Sequence, residues 1–190
     1  TPDVLVPRPE TETLVDAILN ENLQGKTLLE LGTGSGAISI SIAQENKDCF
    51  IFATDISIKS ILVAKQNAAK FYCENIIFLN HDWNNEWLFP QVDYLISNPP
   101  YVDKEATSGK EEGIWHEPEI ALFSEDKGLS DLKLILSKGK NFLNENGKVY
   151  LEHAPDQYEE LNKFAMENGY LNFSNLNDLN GDKRVSIYQC

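Results

Sequence analysis

The sequence predicts an α/β fold with a mostly parallel sheet and helices on both faces, on three observations. An apolar strand, Lys26 to Leu31, runs directly into Gly32-Thr33-Gly34-Ser35-Gly36 and then into a helix bearing Ile38, Ile40, Ile42 and Ala43. A second β-rich stretch, Cys49 to Thr54, delivers Asp55 19 positions beyond Gly36, close to the roughly 20 typical of a carboxylate that binds a ribose in such sheets. A further apolar run, Val92 to Ser97, releases the backbone into Asn98-Pro99-Pro100-Tyr101, at the strand end where parallel sheets hold their ligands.

Composition narrows the class. The chain has 190 residues and 42% hydrophobic content, enough for one well-buried core and too little for two comfortable domains, so a single domain over 1–190 is expected. It begins Thr1-Pro2-Asp3-Val4 without an initiator Met, which reads as mid-protein sequence with a further part upstream. Thirty acidic against sixteen basic side chains give a formal charge of −14. Nucleic-acid affinity rests largely on Lys and Arg neutralising phosphates, so direct nucleic-acid binding is not expected and a protein or small-molecule substrate is. Cys49, Cys73 and Cys190 have no CxxC spacing and fit reduced cytosolic thiols, while His81, His116 and His153 lack ligand spacing, so no metal is expected. No run approaches the roughly 20 apolar residues of a membrane span. A cytoplasmic monomer is the expectation.

In chain order, Leu5 to Glu12 is stiffened by Pro7 and Pro9 and leads into a helix with Leu14, Val15, Ile18 and Leu19 at helical spacing. On local pattern alone, Arg8 and Glu10 read as a solvated helix start. After the glycine loop and Asp55 comes a helix from Ser57 to Phe71, then a third strand from Asn75 to Leu79 followed by His81-Asp82-Trp83. Trp87, Leu88 and Phe89 read as ordinary packing. The fourth strand is Val92 to Ser97. Val102 to Lys127 is polar, acidic and aperiodic, too long for an ordinary connection, and is a candidate lid or substrate loop punctuated by Trp115-His116-Glu117-Pro118. A helix over Leu129 to Leu143, a turn at Asn146-Gly147, a fifth strand from Lys148 to Glu152 and a helix from Tyr158 to Glu167 follow. Tyr170 to Leu176 and Arg184 to Gln189 close the sheet as an antiparallel hairpin with its turn at Asn180-Gly181-Asp182.

The chemistry sits at the strand ends. Glycines let a ligand approach the backbone closely, and the helix that follows offers free N–H groups to an anion. The spacing is G-x-G-x-G, which misses the dinucleotide pattern G-x-G-x-x-G and lacks the Gly-Lys-Ser/Thr of a phosphate loop. A ligand carrying both a carboxylate and an adenosine, S-adenosylmethionine, fits instead. Asp55 can accept from both ribose hydroxyls or cap the helix starting near Ser57. Asp82 and Trp83 can serve an adenine amino group and ring, and Trp83 reads equally as core. Consecutive prolines hold Asn98 in one pose, and Pro99 has no N–H. The Asn98 side-chain oxygen beside the Pro99 carbonyl makes a fork of two acceptors that suits both hydrogens of a planar –NH₂ group, with the Tyr101 ring over its plane. Taken alone, Asn-Pro-Pro-Tyr is also a common turn.

Together LVPRPETE, LELGTGSGAI, ATDIS, HDW, SNPPY, EPEIAL with EDKGL, LEH with DQ, and the closing DKRV resemble the HemK/PrmC family over essentially the whole chain. These are class I, S-adenosylmethionine-dependent enzymes that methylate the side-chain amide nitrogen (N5) of the Gly-Gly-Gln glutamine in peptide chain release factors. The resemblance implies a Rossmann-like, seven-stranded, mostly parallel sheet with an antiparallel final strand, and an upstream helical domain that helps grip the release factor. It assigns Gly32, Thr33, Gly34, Ser35 and Gly36 to the methionine end of the cofactor, Asp55 to its ribose, and Asp82 and Trp83 to its adenine, with Asn98 beside it. Asn98, Pro99, Pro100 and Tyr101 would hold the glutamine amide, with Arg8 and Glu10 on the substrate side, S-adenosylhomocysteine as product and no metal. Ser124 stands where the family tends to have glycine, and Ala154-Pro155 replaces a glycine-containing stretch. The rival readings are a glutamine of a ribosomal protein, an amino group of adenine or guanine, and a module that binds the cofactor without catalysis.

Overall fold

The computed structural model describes residues 3–104 and 118–190. The strands are β1 (Thr27–Leu31), β2 (Phe50–Asp55), β3 (Ile76–Asn80), β4 (Val92–Ser97), β5 (Val102–Asp103), β6 (Phe123–Ser124), β7 (Leu143–Glu152), β8 (Asn172–Asn177) and β9 (Lys183–Gln189). The helices α1 (Glu12–Leu19), α2 (Ala37–Glu45), α3 (Ile58–Lys70), α4 (Ser130–Gly139) and α5 (Tyr158–Glu167) surround them, and a short 3₁₀ turn, Pro9–Thr11, precedes α1.

Seven strands form one sheet in the order β3-β2-β1-β4-β7-β9-β8. β9 pairs antiparallel with both β7 and β8, and the remaining pairings are parallel. The order reverses direction between β1 and β4, which opens a crevice beyond their carboxyl ends. The central strands are buried on both faces, which is why they read as continuous apolar runs instead of alternating ones. Leu29, Leu31, Leu95, Val149 and Leu151 face one side with Leu132, Ile135 and Leu136 of α4 and Leu161 of α5. Leu28, Tyr94, Ile96 and Tyr150 face the other with Leu14 and Ile18 of α1 and Ile38 and Ile42 of α2.

Three local readings change. Trp87 is buried, but Leu88 is 84% exposed and packs against nothing in the core. The helix expected to reach Leu143 ends at Gly139 and tightens into a 3₁₀ turn, Lys140–Phe142. β7 begins at Leu143, so the Asn146-Gly147 turn is an irregularity inside the strand, with Val92 opposite Leu143 and Tyr94 opposite Lys148. Asn146 takes φ +63° there, a backbone region that Asn tolerates better than most residues. The aperiodic segment after β4 includes a small parallel pair, β5 with β6, and a 3₁₀ turn, Glu119–Ala121. Trp115, His116 and Glu117 lie outside the described residues. Among the described residues no helix is long and apolar enough to cross a membrane.

Candidate active site

Strand register assembles the site. Leu31 pairs with Thr54 of β2 and Ser97 of β4, and Ser97 pairs with Leu151 of β7. The next residue of each strand is therefore Gly32, Asp55, Asn98 or Glu152, side by side along one edge at strand spacings of about 4.8 Å. Gly32, Gly34, Asp55, Trp83, Asn98 and Pro100 line a common cavity there.

The glycine loop is shaped by its backbone. Gly36 has φ +83°, and a Cβ on it would lie 2.9 Å from Ile40 and 3.1 Å from Ala64, so only glycine lets α2 and α3 meet under the loop. Thr33 N–H donates to the Thr54 carbonyl at 2.8 Å, and Asn67 of α3 donates to the Ser35 carbonyl at 2.9 Å. Asp55 Oδ2 accepts from Gly34 N–H at 2.9 Å and Oδ1 from Ser57 N–H at 2.8 Å. Ser57 is the cap of α3, its hydroxyl accepting from Ser60 N–H, and Asp55 braces both that cap residue and the loop. A carboxylate has about four acceptor positions; the Ser60 side chain also supports this one, which leaves room for a hydroxyl in the cavity. Burial raises the Asp55 pKa, partly offset by the Ser57 and Gly34 N–H groups.

Beneath the loop, Glu30 is fully buried and accepts from the hydroxyls of Thr33 (2.8 Å) and Ser39. Its Oε1 has no hydrogen bond among the described residues, and burial pushes its pKa up to about 7 from 4.5. A carboxyl that holds its proton more tightly folded than unfolded contributes stability that is whole below about pH 4.5 and is lost as pH rises through about 7. The difference is on the order of 3 kcal/mol. Glu30→Gln is expected to flatten this dependence, leaving the variant more stable than wild type at pH 8 in chemical denaturation; parallel pH profiles for the two proteins would contradict it.

The Trp83 ring lies against the loop, where a Cβ on Gly32 would come within 3.2 Å of it, and its Nε1–H donates to Asp131 of α4 at 3.0 Å. It serves as core and cavity wall at once. Asp82 accepts from the Asn84 backbone (2.8 Å) and side chain (2.9 Å) and is not among the described residues lining the cavity.

Asn98 Nδ2 donates to the Thr11 hydroxyl at 3.2 Å, and among the described residues its Oδ1 accepts no hydrogen bond. The neighbouring Pro99 carbonyl is equally without a donor among those residues. Pro99 and Pro100 are buried. Tyr101 departs from the expected pose: its hydroxyl donates to Glu152 at 2.9 Å and its ring is not part of the described cavity lining. Burial, and then the Glu152 charge, raise the pKa of that hydroxyl, so it stays a donor. The Tyr101 carbonyl accepts from Gln157 at 3.0 Å, and the same Nε2 donates to the Lys127 carbonyl at 3.0 Å. Arg8 is exposed and lines a different cavity, of about 380 Å³, with Pro7, Pro9, Glu12 and Asp16. Glu10 is half-buried near Glu152, whose pKa its charge raises.

Residues 9–117 match the family model described as Methyltransferase small domain. The chain is 35% identical to a release factor glutamine methyltransferase of Aliivibrio fischeri, over 100% of this chain and 67% of that protein. The chain belongs to the release factor glutamine methyltransferase family. A methyltransferase structure from Pyrococcus furiosus superposes on this family member with a TM-score of 0.72 at 20% identity, covering 100% of this chain and 86% of that one. A coclaurine N-methyltransferase bound to N-methylheliamine and SAH superposes with a TM-score of 0.53 at 19% identity, covering 74% and 35%. The fold is that of the class I S-adenosylmethionine-dependent methyltransferases, with the antiparallel final strand that the sequence led us to expect.

Several residues of the site in this release factor glutamine methyltransferase relative escape sequence reading. Val4, Leu5, Ser60 and Ile120 also line the cavity, and Thr11, Gly128, Glu152 and Gln157 shape the bend that carries Asn98. Their one shared signal is that most fall within or beside the stretches that carry the family resemblance.

Proposed function

We propose that this chain transfers a methyl group from S-adenosylmethionine to the side-chain amide nitrogen of the Gly-Gly-Gln glutamine in a peptide chain release factor. The observation that carries the reading is the pair of unclaimed acceptors, Asn98 Oδ1 and the Pro99 carbonyl, on the bend that enters the cavity of Gly32, Gly34 and Asp55. Two adjacent acceptors that no described donor occupies match a primary carboxamide –NH₂, which offers two N–H bonds.

The cofactor fits the residues present. Gly34 has φ +55° and open space where a Cβ would stand, the Asp55 carboxylate on the cavity wall suits a ribose hydroxyl, and Trp83 offers an aromatic wall. Gly32 to Gly36 would take the methionine end, and Asp82 would stand near the adenine. When bound, the cofactor supplies a methyl group on a sulfonium. The chain's own part is positioning. An amide nitrogen is a weak nucleophile because its lone pair is delocalised into the carbonyl, so holding both N–H bonds fixes the direction of attack. As the nitrogen gains positive charge, Asn98 Oδ1 and the Pro99 carbonyl bind its hydrogens more strongly, which favours the transition state over the ground state. The S–CH₃ bond breaks as the N–CH₃ bond forms, and the N-protonated amide, a strong acid, then loses one proton to water, so no general base is required. The Tyr101 hydroxyl on the buried Glu152 carboxylate braces the bend, and Arg8 and Glu10 would meet the protein substrate.

Asp55→Ala is expected to weaken S-adenosylmethionine binding about 30-fold or more, from the loss of about 2 kcal/mol of hydrogen bonding to a charged group. Calorimetry reads this directly, and an unchanged affinity would remove Asp55 from the cofactor site. The function itself is tested by mass spectrometry of a release factor incubated with the full-length protein and cofactor. One added methyl on the Gly-Gly-Gln glutamine is expected. Methylation of RNA or DNA amino groups with an unmodified release factor would overturn the reading.

A further inference from the structure

The fork requires that the Asn98 carboxamide present oxygen, not nitrogen, to the cavity. A 180° turn of that amide would set two N–H donors against the substrate's own N–H donors. Asparagine alone has little preference between the two orientations, so the choice is made by its neighbours. Its one described partner is the Thr11 hydroxyl, 3.2 Å from Nδ2. A hydroxyl can donate or accept, so Thr11 by itself permits either orientation.

The ambiguity is removed one strand over. The pairing of Ser97 with Leu151 sets Glu152 beside Asn98 at the sheet edge. Glu152 is fully buried, and an ionised carboxylate only accepts. Its Oε1 takes the Tyr101 hydroxyl proton at 2.9 Å. Its Oε2 has no hydrogen-bond partner among the described residues. Burial raises its pKa, and the Thr11 hydroxyl is the foremost side chain acting against that rise, ahead of Tyr101 and Arg184. Thr11 thus stands between the Asn98 amide and an acceptor that is short of a donor.

We propose that Thr11 and Glu152 are positioning residues: Glu152 fixes the direction of the Thr11 hydroxyl, and Thr11 thereby locks the Asn98 amide with Oδ1 facing the cavity. The polarity runs Asn98 N–H to Thr11 Oγ1, then Thr11 O–H to Glu152. Neither residue is among the described residues lining the cavity of Gly32, Asp55 and Asn98. Thr11 also lines the second cavity with Arg8 and Glu12, so this relay forms part of the wall between the two. The inference rests on the amide-methylating reading above.

The test compares Thr11→Val, Thr11→Ser and Glu152→Gln in the full-length protein, with labelled methyl transfer to a release factor, cofactor affinity and thermal stability measured for each. Thr11→Val keeps the shape and removes the hydroxyl. It is expected to lower kcat about 10-fold, with cofactor Kd unchanged and KM for the release factor little altered. Thr11→Ser restores the hydroxyl and is expected to restore kcat. Glu152→Gln can donate to Thr11 and reverse the chain, so its loss of kcat should match that of Thr11→Val and not add to it in the double variant. Wild-type kcat in Thr11→Val, or equal impairment of Thr11→Ser and Thr11→Val, overturns the relay while an active wild type leaves the amide-methylating reading standing. A wild type that leaves the glutamine unmethylated defeats that reading, and the relay with it.

Discussion

Asn98→Ala is expected to lower kcat by about 10³-fold or more while leaving the Kd for S-adenosylmethionine within about threefold, a difference of under 0.7 kcal/mol. The asymmetry follows from what the side chain holds. Its Nδ2 is committed to Thr11 and its Oδ1 is unclaimed among the described residues, so the lost oxygen is one that would meet the substrate amide. The cofactor side rests on Asp55 and the glycine loop, which belong to β2 and β1 and are braced by their own hydrogen bonds. Removing one half of a two-acceptor fork forfeits both the aim of the nitrogen and the acceptor that strengthens as charge develops. Kinetics with labelled cofactor, paired with calorimetry, separates the two effects; equal losses of binding and turnover would refute this division of labour.

Gly128→Ala is expected to destabilise the fold by roughly 3 kcal/mol, lowering Tm by about 6–12 °C for a domain of this size, and to reduce kcat along with it. Gly128 follows Asp126 (φ +53°) and Lys127 (φ +56°) and itself sits at φ +83°. A Cβ there would fall 2.0 Å from the Tyr101 carbonyl oxygen and 2.7 Å from Gln157 Nε2. These are the atoms that clamp the bend, since Gln157 ties the Tyr101 carbonyl to that of Lys127. The backbone after Pro100 must therefore shift, and a shift of even 1 Å in a positioning site is costly. Thermal unfolding and turnover of the variant check both parts, and wild-type values for both would show that the clamp is immaterial.

What the sequence made legible is what is local. The glycine loop, Asp55 and the proline-braced bend each follow directly from the end of an apolar strand, and a parallel sheet brings such ends together without further instruction. The long-range partners were not legible. Thr11 meets Asn98 across 87 residues and Tyr101 meets Glu152 across 51, and no spacing rule links such pairs. Gly128 was not singled out within EDKGL, because the close approach of the Tyr101 carbonyl has no signature in its neighbours. Tyr101 was legible only in part. An aromatic after two prolines suggests a stacking face, but the buried Glu152 carboxylate needs a donor and takes its hydroxyl.

The account turns on where a glutamine amide would lie, and a crystal structure of the full-length protein with S-adenosylhomocysteine and a Gly-Gly-Gln peptide measures that most directly. The glutamine amide nitrogen is expected within hydrogen-bond distance of both Asn98 Oδ1 and the Pro99 carbonyl oxygen, facing the cofactor sulfur. A glutamine side chain bound elsewhere, or an Asn98 amide turned with its nitrogen toward the cavity, would contradict the account.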